Sequence, residues 1–548
     1  MGKKKIKNKN MNQNRKSLIE TIVPHIQNHI LEIYFLAMFL VYPFYRGQGF
    51  VKMGTHKYEF YRYTEISMLI SVLLLALIYV IDGFIKKRIH FSKDMCINAW
   101  RKLSTLDIAV LAYAVFAFLS YLCSDFRSEA WEGANGWYMG MEAQLIFVLS
   151  YFVISRVWKR KNRVILYLLL GSVGAFGIAV LHRFMIDPLH MYDGLKDWQI
   201  LQFLSTLGQA TWYSSFVCTL YPVGVFLFWH CKNKTNRIAV GVYSVLAFGT
   251  VVTQNSDSAF IALALMLLAL FWFSFESNEK MKRFLEVLLL MLVTFKGIGL
   301  LQMIFADRAI QLDRISMFMS QSVVTWIALA VVGIIYTGYI FVEKKGKLQV
   351  TKWKGIRIAV VGIFVAAVVG TALFIVVNTH NINEGKTDGY VSYNQYLYFD
   401  NAWGNGRGTT WMHTADMWKD FSVGQKLIGV GPDCYSAYSY SIPEYEERLR
   451  AAWGTSKLTN SHNEWMNIFI CYGLLGALAY ISIFVFAIIR FARARESRPF
   501  VLAIVLCTLS YIGHNAFCYQ QVLCTPFMFI LFGIGEAIMR GEKGNEIE

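Results

Sequence analysis

A polar stretch at residues 379–463, between hydrophobic segments, contains an arginine and a histidine whose side chains suit group transfer. Arg407 lies within Gly404–Gly408 (GNGRG), where the glycines let a bulky anion approach the backbone. Its guanidinium is always charged and offers a planar fork of donors that matches phosphate oxygens. The structural alternative is that Arg407 caps a loop carbonyl or pairs with Asp400 or Asp416. The chemical hypothesis is that the Arg407 guanidinium binds a phosphate group of the substrate.

His462 lies at the end of the same stretch, just before a predicted helix. An imidazole has an ordinary pKa of about 6.5 and can accept a proton at neutral pH, as a general base must. Asn463 or Glu464, the next two residues, could orient the ring. A structural alternative also fits, because Ser461 and Glu464 have the spacing of a helix capping box. The two interpretations are compatible, and we keep both.

Neither metal nor nucleotide chemistry is indicated by the sequence. Asp187, His190, Asp193 and Asp197 share one predicted loop, but their spacing matches no metal site. The glycines around Arg407 are not followed by the Gly-Lys-Ser/Thr of a phosphate-binding P-loop. The nine cysteines include no Cys-x-x-Cys pair. We therefore predict that the protein uses no metal and no cofactor.

The elements that must position these residues are hydrophobic helices. The 548-residue chain is 56% hydrophobic, and its apolar blocks of about 17–25 residues can cross roughly 30 Å of hydrocarbon. Segments such as 258–274 are apolar on all sides, which argues against a soluble helical protein. We predict an all-α polytopic integral membrane protein with about 14 transmembrane helices and one large, partly helical extracytoplasmic loop. The predicted spans are residues 28–45, 63–85, 105–124, 138–157, 163–185, 209–230, 238–254, 258–274, 283–304, 323–342, 356–378, 464–489, 499–517 and 521–539.

Four regions follow from this plan, and the third is called the large loop below. They are a basic cytoplasmic tail at 1–27, transmembrane helices 1–11 at 28–378, the extracytoplasmic loop carrying the active site at 379–463, and transmembrane helices 12–14 with a cytoplasmic C-terminal tail at 464–548. Inside the large loop a helix is predicted over 407–421, because Trp411, Ala415 and Trp418 recur on one helical face. A second helix is predicted over 443–450.

The formal net charge of +17 is a signal of topology. Basic clusters at Lys86–Arg88, Lys159–Arg163, Lys344–Arg357 and Arg490–Arg498 all fall on one side when the chain alternates through the predicted spans. Positive residues favour the cytoplasmic side, so both termini are predicted to be cytoplasmic and the large loop extracytoplasmic. The same clusters attract anionic membrane lipid. No nucleic-acid partner is expected.

Several motifs occur in the order found in a known family. They are Arg407–Trp411 (RGTTW), Gly429–Gly431 (GVG), His462–Trp465 (HNEW) and Tyr472–Gly476 (YGLLG). With them the chain resembles the O-antigen ligase/polymerase superfamily over most of residues 125–535. That family carries an arginine and a histidine in its large outer loop, which match Arg407 and His462.

The resemblance implies glycosyl transfer at the outer surface of the bacterial plasma (inner) membrane. A glycan carried on undecaprenyl diphosphate moves to an acceptor hydroxyl on a glycan, a lipid or a protein. Arg407 then binds the diphosphate and His462 acts as general base, without a metal or a nucleotide. Ligase and polymerase activities are both compatible with the sequence, which favours a polymerase. The alternative classes are a lipid-linked oligosaccharide flippase and a non-catalytic scaffold of a polysaccharide assembly complex.

The chain departs from the family at a second arginine. Family ligases carry one shortly before a Gly-Asn-x-Asn element, and the corresponding stretch here, residues 198–208, has none. Arg183 or Arg314 are the candidates to replace it as a phosphate contact. The further residues that we expect to bind substrate are Trp411, Gly429, Gly431, Tyr435, Asn463 and Glu464.

Overall fold

The computed structural model describes residues 18–90, 92–159, 161–346, 349–386, 389–391 and 396–541. Helices account for 75% of the structure, and the described strands form one two-stranded antiparallel hairpin, β1 (Phe203–Leu204) with β2 (Gly208–Gln209). The predicted all-α class is therefore confirmed. Residues 1–17 of the predicted basic tail and residues 542–548 lie outside the described part of the chain.

Most of the described chain is a succession of apolar helices joined by short connections. Before the large loop these are α1 (Leu18–Leu36, continued by a π-helical turn at Ala37–Val41 and a 3-10 turn at Tyr42–Phe44), α2 (Met53–Ile85), α3 (Lys93–Arg101), α4 (Thr105–Leu122), α5 (Arg127–Glu132), α6 (Met141–Val157), α7 (Arg163–Arg183), α8 (Asp197–Ile200), α9 (Ala210–His230), α10 (Lys234–Thr253), α11 (Ser258–Ser274), α12 (Asn278–Ile304), α13 (Arg314–Gln321), α14 (Val323–Lys344), a 3-10 turn (Val350–Lys352) and α15 (Lys354–Asn383). The large loop contains α16 (Trp403–Asp420), α17 (Val423–Ile428), α18 (Tyr435–Ser441) and α19 (Pro443–Trp453). The last helices are α20 (Glu464–Ala494), α21 (Val501–Asn515) and α22 (Thr525–Arg540).

Nine helices in the described ranges are long and apolar enough to cross a membrane. They are α2, α4, α7, α9, α10, α12, α14, α15 and α20. The other five predicted spans overlap α1, α6, α11, α21 and α22. A multi-pass membrane protein is supported, while the number of 14 spans stays a prediction.

Burial separates central helices from peripheral ones. In the apolar 18-residue stretch of α9, 83% of the residues are buried. In the corresponding stretch of α15, which has a mean hydropathy of 2.9, none of the residues is buried. α9 packs against α10 and α21, α20 packs against α4, and α22 packs against α6. An apolar helix with an exposed apolar stretch of this length is suited to contact with lipid.

Three arginines pair with buried carboxylates at one end of the bundle, one at the end of a predicted span and two in segments predicted to be cytoplasmic. Asp107, at the start of α4, pairs with Arg156 at 2.8 Å and also with Arg540. Glu536 on α22 pairs with Arg490 at 2.7 Å and with Arg540 at 3.0 Å. Because the Asp107 and Glu536 side chains are fully buried, these ion pairs neutralise charges that would be costly alone.

Inside the large loop, both predicted helices are confirmed. The one expected over 407–421 is α16, and the one expected over 443–450 is α19. The tyrosine-rich segment between them is also helical, as α18. Pro443 stands at the first turn of α19, where its missing N–H removes no helical hydrogen bond.

Candidate functional site

Arg407 is presented by a tight turn inside α16. Gly404, Asn405 and Gly406 all have left-handed backbone conformations, with φ of 58°, 61° and 86°. Glycine adopts this conformation without strain, which explains the glycines around the arginine. The Arg407 Nη1 donates to the carbonyl oxygen of Gly404 at 2.9 Å. The loop-capping role considered from the sequence is therefore present, and it uses only one part of the guanidinium.

Apart from the bond of Nη1, the Arg407 guanidinium makes no hydrogen bond with the residues that the structure describes. Its Nε is buried and has no hydrogen-bond partner among the described residues. Asp400 accepts instead from the N–H of Ala402 at 3.0 Å, and Asp416 pairs with Arg448 at 2.9 Å. Burial lowers the pKa of Arg407 from its usual value, an effect that nearby acidic groups oppose. The carboxylate pairing considered from the sequence is not formed.

Aromatic rings and indole N–H groups surround this side chain. The Arg407 Cζ lies 5.8 Å from the ring centroid of Phe517, and Trp411 packs on the same ring at 5.8 Å. On the other side, Trp453 Cη2 lies 3.9 Å from the position that a Cβ on Gly406 would occupy. The indole nitrogens of Trp411 and Trp453 are buried without a hydrogen-bond partner in the described structure. A buried N–H without a partner destabilises the fold by about 1–3 kcal/mol. A bound anion would accept hydrogen bonds from these donors, so their surroundings are suited to an anion.

His462 keeps its ring free of hydrogen bonds. Its backbone is left-handed, with φ of 51°, and its N–H donates to Asn460 Oδ1 at 3.0 Å. The ring stands edge-on to Tyr519 with centroids 5.3 Å apart. Neither ring nitrogen is hydrogen-bonded within the described ranges. Burial, together with the positive charge of Arg407, lowers the pKa of His462 to about 4. The imidazole is therefore neutral at physiological pH.

The fold brings Arg407 and His462, which are far apart in the sequence of the large loop, close enough for the charge of Arg407 to act on the imidazole. The charge of Arg407 acts on His462 and also on Tyr519, whose phenol pKa it lowers against the larger rise caused by burial. Asp257, in the turn between α10 and α11, acts on Arg407 as a counter-charge. Its Oδ2 accepts a hydrogen bond from the Tyr396 hydroxyl at 3.1 Å. The turn at Asp257 thus faces the same arginine.

Asn463 holds the start of α20. It is the N-cap, and its Oδ1 accepts from the Met466 N–H at 3.1 Å. The capping box considered for Ser461 and Glu464 does not form, because the N-cap of α20 is Asn463, two residues after Ser461. Ser461 Oγ instead donates to the Asn463 carbonyl at 2.6 Å. Capping therefore belongs to Asn463, directly after His462.

Glu464 lies inside the bundle and makes its contacts there. Its carboxylate is fully buried and accepts hydrogen bonds from the hydroxyls of Tyr480 at 2.5 Å and Tyr511 at 2.8 Å. Asn515 Nδ2 also donates to it. These contacts join α20 to α21. Glu464 therefore contributes to the packing of α20 against α21.

Gly429 and Gly431 dock the large loop onto α20. The N–H groups of Val430 and Gly431 donate to the carbonyl oxygens of Ile470 and Cys471, both at 3.1 Å. A Cβ on Gly429 would lie 2.3 Å from the Cys471 carbonyl oxygen. Both glycines have positive φ, of 83° and 120°. We expected these two glycines at the substrate. Instead they allow the backbone of the large loop to lie close to the backbone of α20.

Tyr435 belongs to the core of the large loop. It is fully buried, and its hydroxyl shares a hydrogen bond with Thr414 Oγ1 at 2.9 Å. Next to it, His413 Nε2 bonds Ser439 Oγ at 3.0 Å and Arg448 donates to His413 Nδ1 at 2.8 Å. Burial and the Arg448 charge lower the pKa of His413 to about 4. This network ties α16, α18 and α19 together.

The two arginines considered as second phosphate contacts lie in different surroundings. Arg183 is fully buried, and its guanidinium donates to the backbone carbonyls of Leu201 at 2.8 Å, Gln254 at 3.2 Å and Thr253. Those contacts commit Arg183 to the fold. Arg314 begins α13 and is exposed. Neither is found among the aromatic residues around Arg407.

Sequence reasoning missed the aromatic residues contributed by other segments. Tyr519 accepts a hydrogen bond from Trp212 Nε1 at 3.0 Å, and Trp137 packs edge-on against both rings at 4.9 Å. Phe517 and Tyr519 follow α21, while Trp137 precedes α6 and Trp212 lies in the first turn of α9. Their shared signal is an aromatic residue at the end of a predicted span, which interfacial residues carry as well.

The described residues contain no group of three or more His, Cys, Asp or Glu side chains placed to hold a metal ion. Asp187 instead contacts the ring of His182 at 3.2 Å and accepts from the Tyr192 N–H at 2.7 Å. The eight cysteines that the structure describes are free thiols. The chemistry that this arrangement can support is anion binding at Arg407 beside a neutral base at His462.

Part of the chain matches a known family. Residues 309–481 match the family model described as O-antigen ligase. The matched segment contains the large loop, with Arg407 and His462, and the first part of α20. No curated protein matches the chain. The match over residues 309–481 supports the assignment of this chain to the O-antigen ligase superfamily.

Proposed function

We propose that the protein is a glycosyltransferase acting at the outer surface of a bacterial plasma membrane. It moves a glycan from undecaprenyl diphosphate to an acceptor hydroxyl on a glycan, a lipid or a protein. The observation that carries the proposal is the Arg407–His462 pair, in which a guanidinium with an unpaired Nε acts on a neutral imidazole. The match to the O-antigen ligase family supports glycosyl transfer of the ligase or polymerase type.

Arg407 binds the diphosphate in this proposal. Negative charge builds on the leaving group as the sugar–phosphate bond breaks, and fixed donors at that point lower the barrier. The unpaired N–H groups of Arg407, Trp411 and Trp453 are donors for phosphate oxygens. The surrounding rings, including Phe517, exclude water and strengthen the attraction between the guanidinium and the anion. The indoles thereby stand in for the second arginine of related ligases.

His462 is the general base. Its free ring nitrogen takes the proton from the acceptor hydroxyl, and the acceptor oxygen forms a bond to the anomeric carbon of the donor sugar. The bond from that carbon to the diphosphate oxygen breaks, and undecaprenyl diphosphate leaves with the electron pair. Solvent or the departing diphosphate takes the proton from His462. No oxidant, reductant or nucleotide is needed, because the diphosphate already activates the sugar.

Donor binding also makes His462 a stronger base. In the free protein the charge of Arg407 helps to hold the pKa of His462 at about 4. A bound diphosphate neutralises that charge, so the pKa of the imidazole rises toward its ordinary value. The base therefore gains strength when the donor is in place. This coupling links the two residues in one reaction step.

The proposed orientation has both termini in the cytoplasm and the large loop on the outer side. It rests on the basic clusters of the sequence and on the arginine-rich end of the bundle, where Arg156, Arg490 and Arg540 pair with buried carboxylates. The carrier lipid then reaches Arg407 from the outer leaflet. The exposed apolar face of α15 and of α14 is available to lipid.

The decisive experiment uses the purified full-length protein in lipid nanodiscs. An undecaprenyl-diphosphate-linked oligosaccharide serves as donor, and both extended glycan and released undecaprenyl diphosphate are measured. Arg407→Ala and His462→Ala are each expected to lower the rate at least about 100-fold. Arg450→Ala is the matched control, because Arg450 is an exposed loop arginine paired with Glu446. Wild-type rates in both active-site variants would contradict the proposal.

The same experiment separates the remaining classes of function. A polymerase extends the donor glycan with a second copy of the donor, whereas a ligase needs a different acceptor. A flippase moves the intact donor across the bilayer of a proteoliposome and forms no new glycosidic bond. A scaffold forms no product in the absence of other proteins.

A further inference from the structure

A narrow polar cavity is lined by two residues that contact His462, Asn460 and Tyr519. It lies between the segment before α6, the turn before α18, the first part of α20 and the segment after α21. Its polar lining consists of Asp433, Asn460, Asn467 and Gln520, and its aromatic lining includes Trp137 and Tyr519. Four carbonyl-bearing side chains beside aromatic walls form a surface suited to hydroxyl groups.

The cavity is directly connected to the proposed base. Asn460 accepts the hydrogen bond from the His462 N–H at 3.0 Å. Tyr519 packs edge-on against the His462 ring at 5.3 Å. Both residues also line the cavity. A group bound there therefore lies beside the imidazole that takes the acceptor proton.

Asp433 is the charged group of the cavity. Its backbone is left-handed, with φ of 57°, and its side chain is only 8% exposed. Oδ2 accepts from the N–H groups of Ala134 at 2.7 Å and Met139 at 3.1 Å. Among the described residues, the hydrogen bonds of the Asp433 carboxylate all go to Oδ2, and none goes to Oδ1. One carboxylate oxygen of Asp433 thus binds the backbone before α6, and the other is available to accept a hydrogen bond from a ligand.

The rest of the lining is held in place by the protein. Asn467 Oδ1 accepts from the Ser461 N–H at 3.2 Å, and Gln520 Oε1 accepts from Gln144 Nε2 at 3.3 Å. These bonds leave few freely rotating groups, so the cavity has a fixed shape. A pre-formed polar site costs little ordering when a ligand binds.

We propose that this cavity receives one hydroxyl group of the acceptor sugar, which donates a hydrogen bond to Asp433 Oδ1. The inference rests on the proposed glycosyl transfer and names the part of the site that selects the second substrate. The acceptor enters from the Trp137 and Tyr519 side, and its reactive hydroxyl reaches His462. Asp433 acts as a positioning residue, since it does not exchange the reacting proton.

Burial raises the pKa of Asp433 to about 7, while its two backbone hydrogen bonds oppose that rise. The Glu129 charge adds to the effect of burial. A carboxyl group that titrates near neutral pH both accepts and donates hydrogen bonds to hydroxyls. This property supports a role in binding a sugar.

The test measures steady-state kinetics with an undecaprenyl-diphosphate-linked oligosaccharide as donor and a soluble benzyl glycoside of its terminal sugar as acceptor. Asp433→Asn keeps an oxygen for the Ala134 and Met139 N–H groups but removes the charge. We expect its KM for the acceptor to rise about tenfold, with the donor KM unchanged. Asp420→Asn is the matched control, a loop carboxylate bound to Tyr445 and outside the cavity.

A second variant covers the possibility that Asp433→Asn disturbs the fold. Trp137→Leu changes the opposite wall and is expected to raise the acceptor KM without moving the donor KM. Acceptors that each lack one hydroxyl identify the group that Asp433 binds. For that hydroxyl, the difference in KM between the intact and the deoxy acceptor should be smaller in Asp433→Asn than in the wild type. Unchanged acceptor KM in both variants overturns the inference. Failure of the underlying function looks different, because Arg407→Ala and His462→Ala would then keep wild-type rates.

Discussion

The positive charge of Arg407 lowers the pKa of the His462 imidazole, which burial has already lowered. The two residues are brought together because α16 begins beside the segment that follows α21, and His462 immediately precedes α20. Phe517 contacts the guanidinium, and Tyr519 contacts the imidazole. A cation next to a neutral base is the arrangement in which an incoming anion changes the strength of that base.

The first prediction concerns the pH dependence of transfer. Because the pKa of free His462 is about 4, kcat/KM should stay constant as pH falls through the usual imidazole range and decrease only near pH 4. The acid limb of kcat should lie at higher pH, since the bound diphosphate offsets the Arg407 charge. Initial rates measured from pH 3.5 to 8 at low and saturating donor give both limbs. If kcat/KM and kcat both decreased with the same pKa, near the ordinary imidazole value, the proposed effect of the diphosphate on His462 would be contradicted.

The same pKa shift predicts a change in stability. The folded-state pKa of His462 lies below its unfolded value, so between about pH 6.5 and pH 4 the unfolded chain binds a proton that the folded chain does not. The free energy of unfolding should therefore fall as pH drops through that window. His462→Gln should reduce this slope in thermal unfolding of the detergent-solubilised protein. If the free energy of unfolding of the variant depended on pH as steeply as that of the wild type, His462 would not be the cause of this dependence.

The second prediction concerns Trp453. If its unpaired indole N–H binds the donor diphosphate, Trp453→Phe removes one donor and keeps an aromatic ring. The donor KM should rise about three- to tenfold, the value of one hydrogen bond to an anion. Trp418→Phe is the control, because Trp418 packs on Phe421 and Phe469 in the same loop. A similar donor KM in the two variants would exclude the indole from the site.

The sequence predicted the helices and made two side chains the candidates for chemistry, but it did not predict the surroundings of those side chains. Periodicity identified α16, and the spacing of turn residues identified Arg407 and His462. Glu464 was expected at the substrate because it follows His462, yet the first turn of α20 points its carboxylate into the bundle toward Tyr480 and Tyr511. Neighbours in sequence on a helix face different directions. Only the packing of helices decides which of them reaches the site.

Contacts that join distant segments could not be read from local patterns. Asp433 is bonded to the segment before α6, and Phe517 reaches Arg407 from the end of α21. No spacing rule connects these positions. The glycines Gly429 and Gly431 were expected at the substrate, and the structure gives them a different role. Positive φ and close backbone contact explain glycine there without a ligand.

The third prediction separates the two arginines outside the aromatic cluster. Arg183→Met leaves the carbonyls of Leu201, Thr253 and Gln254 without their donor. Its thermal midpoint should fall because buried carbonyls left unpaired cost about 1–3 kcal/mol each, while the donor KM of the folded fraction stays unchanged. Arg314→Ala should change neither quantity, since its side chain is exposed. A selective loss of donor affinity in either variant would restore that arginine as the second phosphate contact.

The last prediction tests how the large loop is docked. Gly429 has φ of 83° and ψ of −168°, a region that side chains avoid, and an added Cβ would lie 2.3 Å from the Cys471 carbonyl oxygen. Gly429→Ala therefore requires the loop to separate from α20, which costs at least about 1–3 kcal/mol for backbone strain alone. Limited proteolysis should cut the loop of this variant sooner, and transfer should fall because Arg407 no longer faces His462. Gly424→Ala is the control, because its added Cβ meets nothing nearer than Ser422 Oγ at 3.9 Å and alanine favours the helix. Equal proteolysis of the two variants would show that the docking of this turn does not position Arg407.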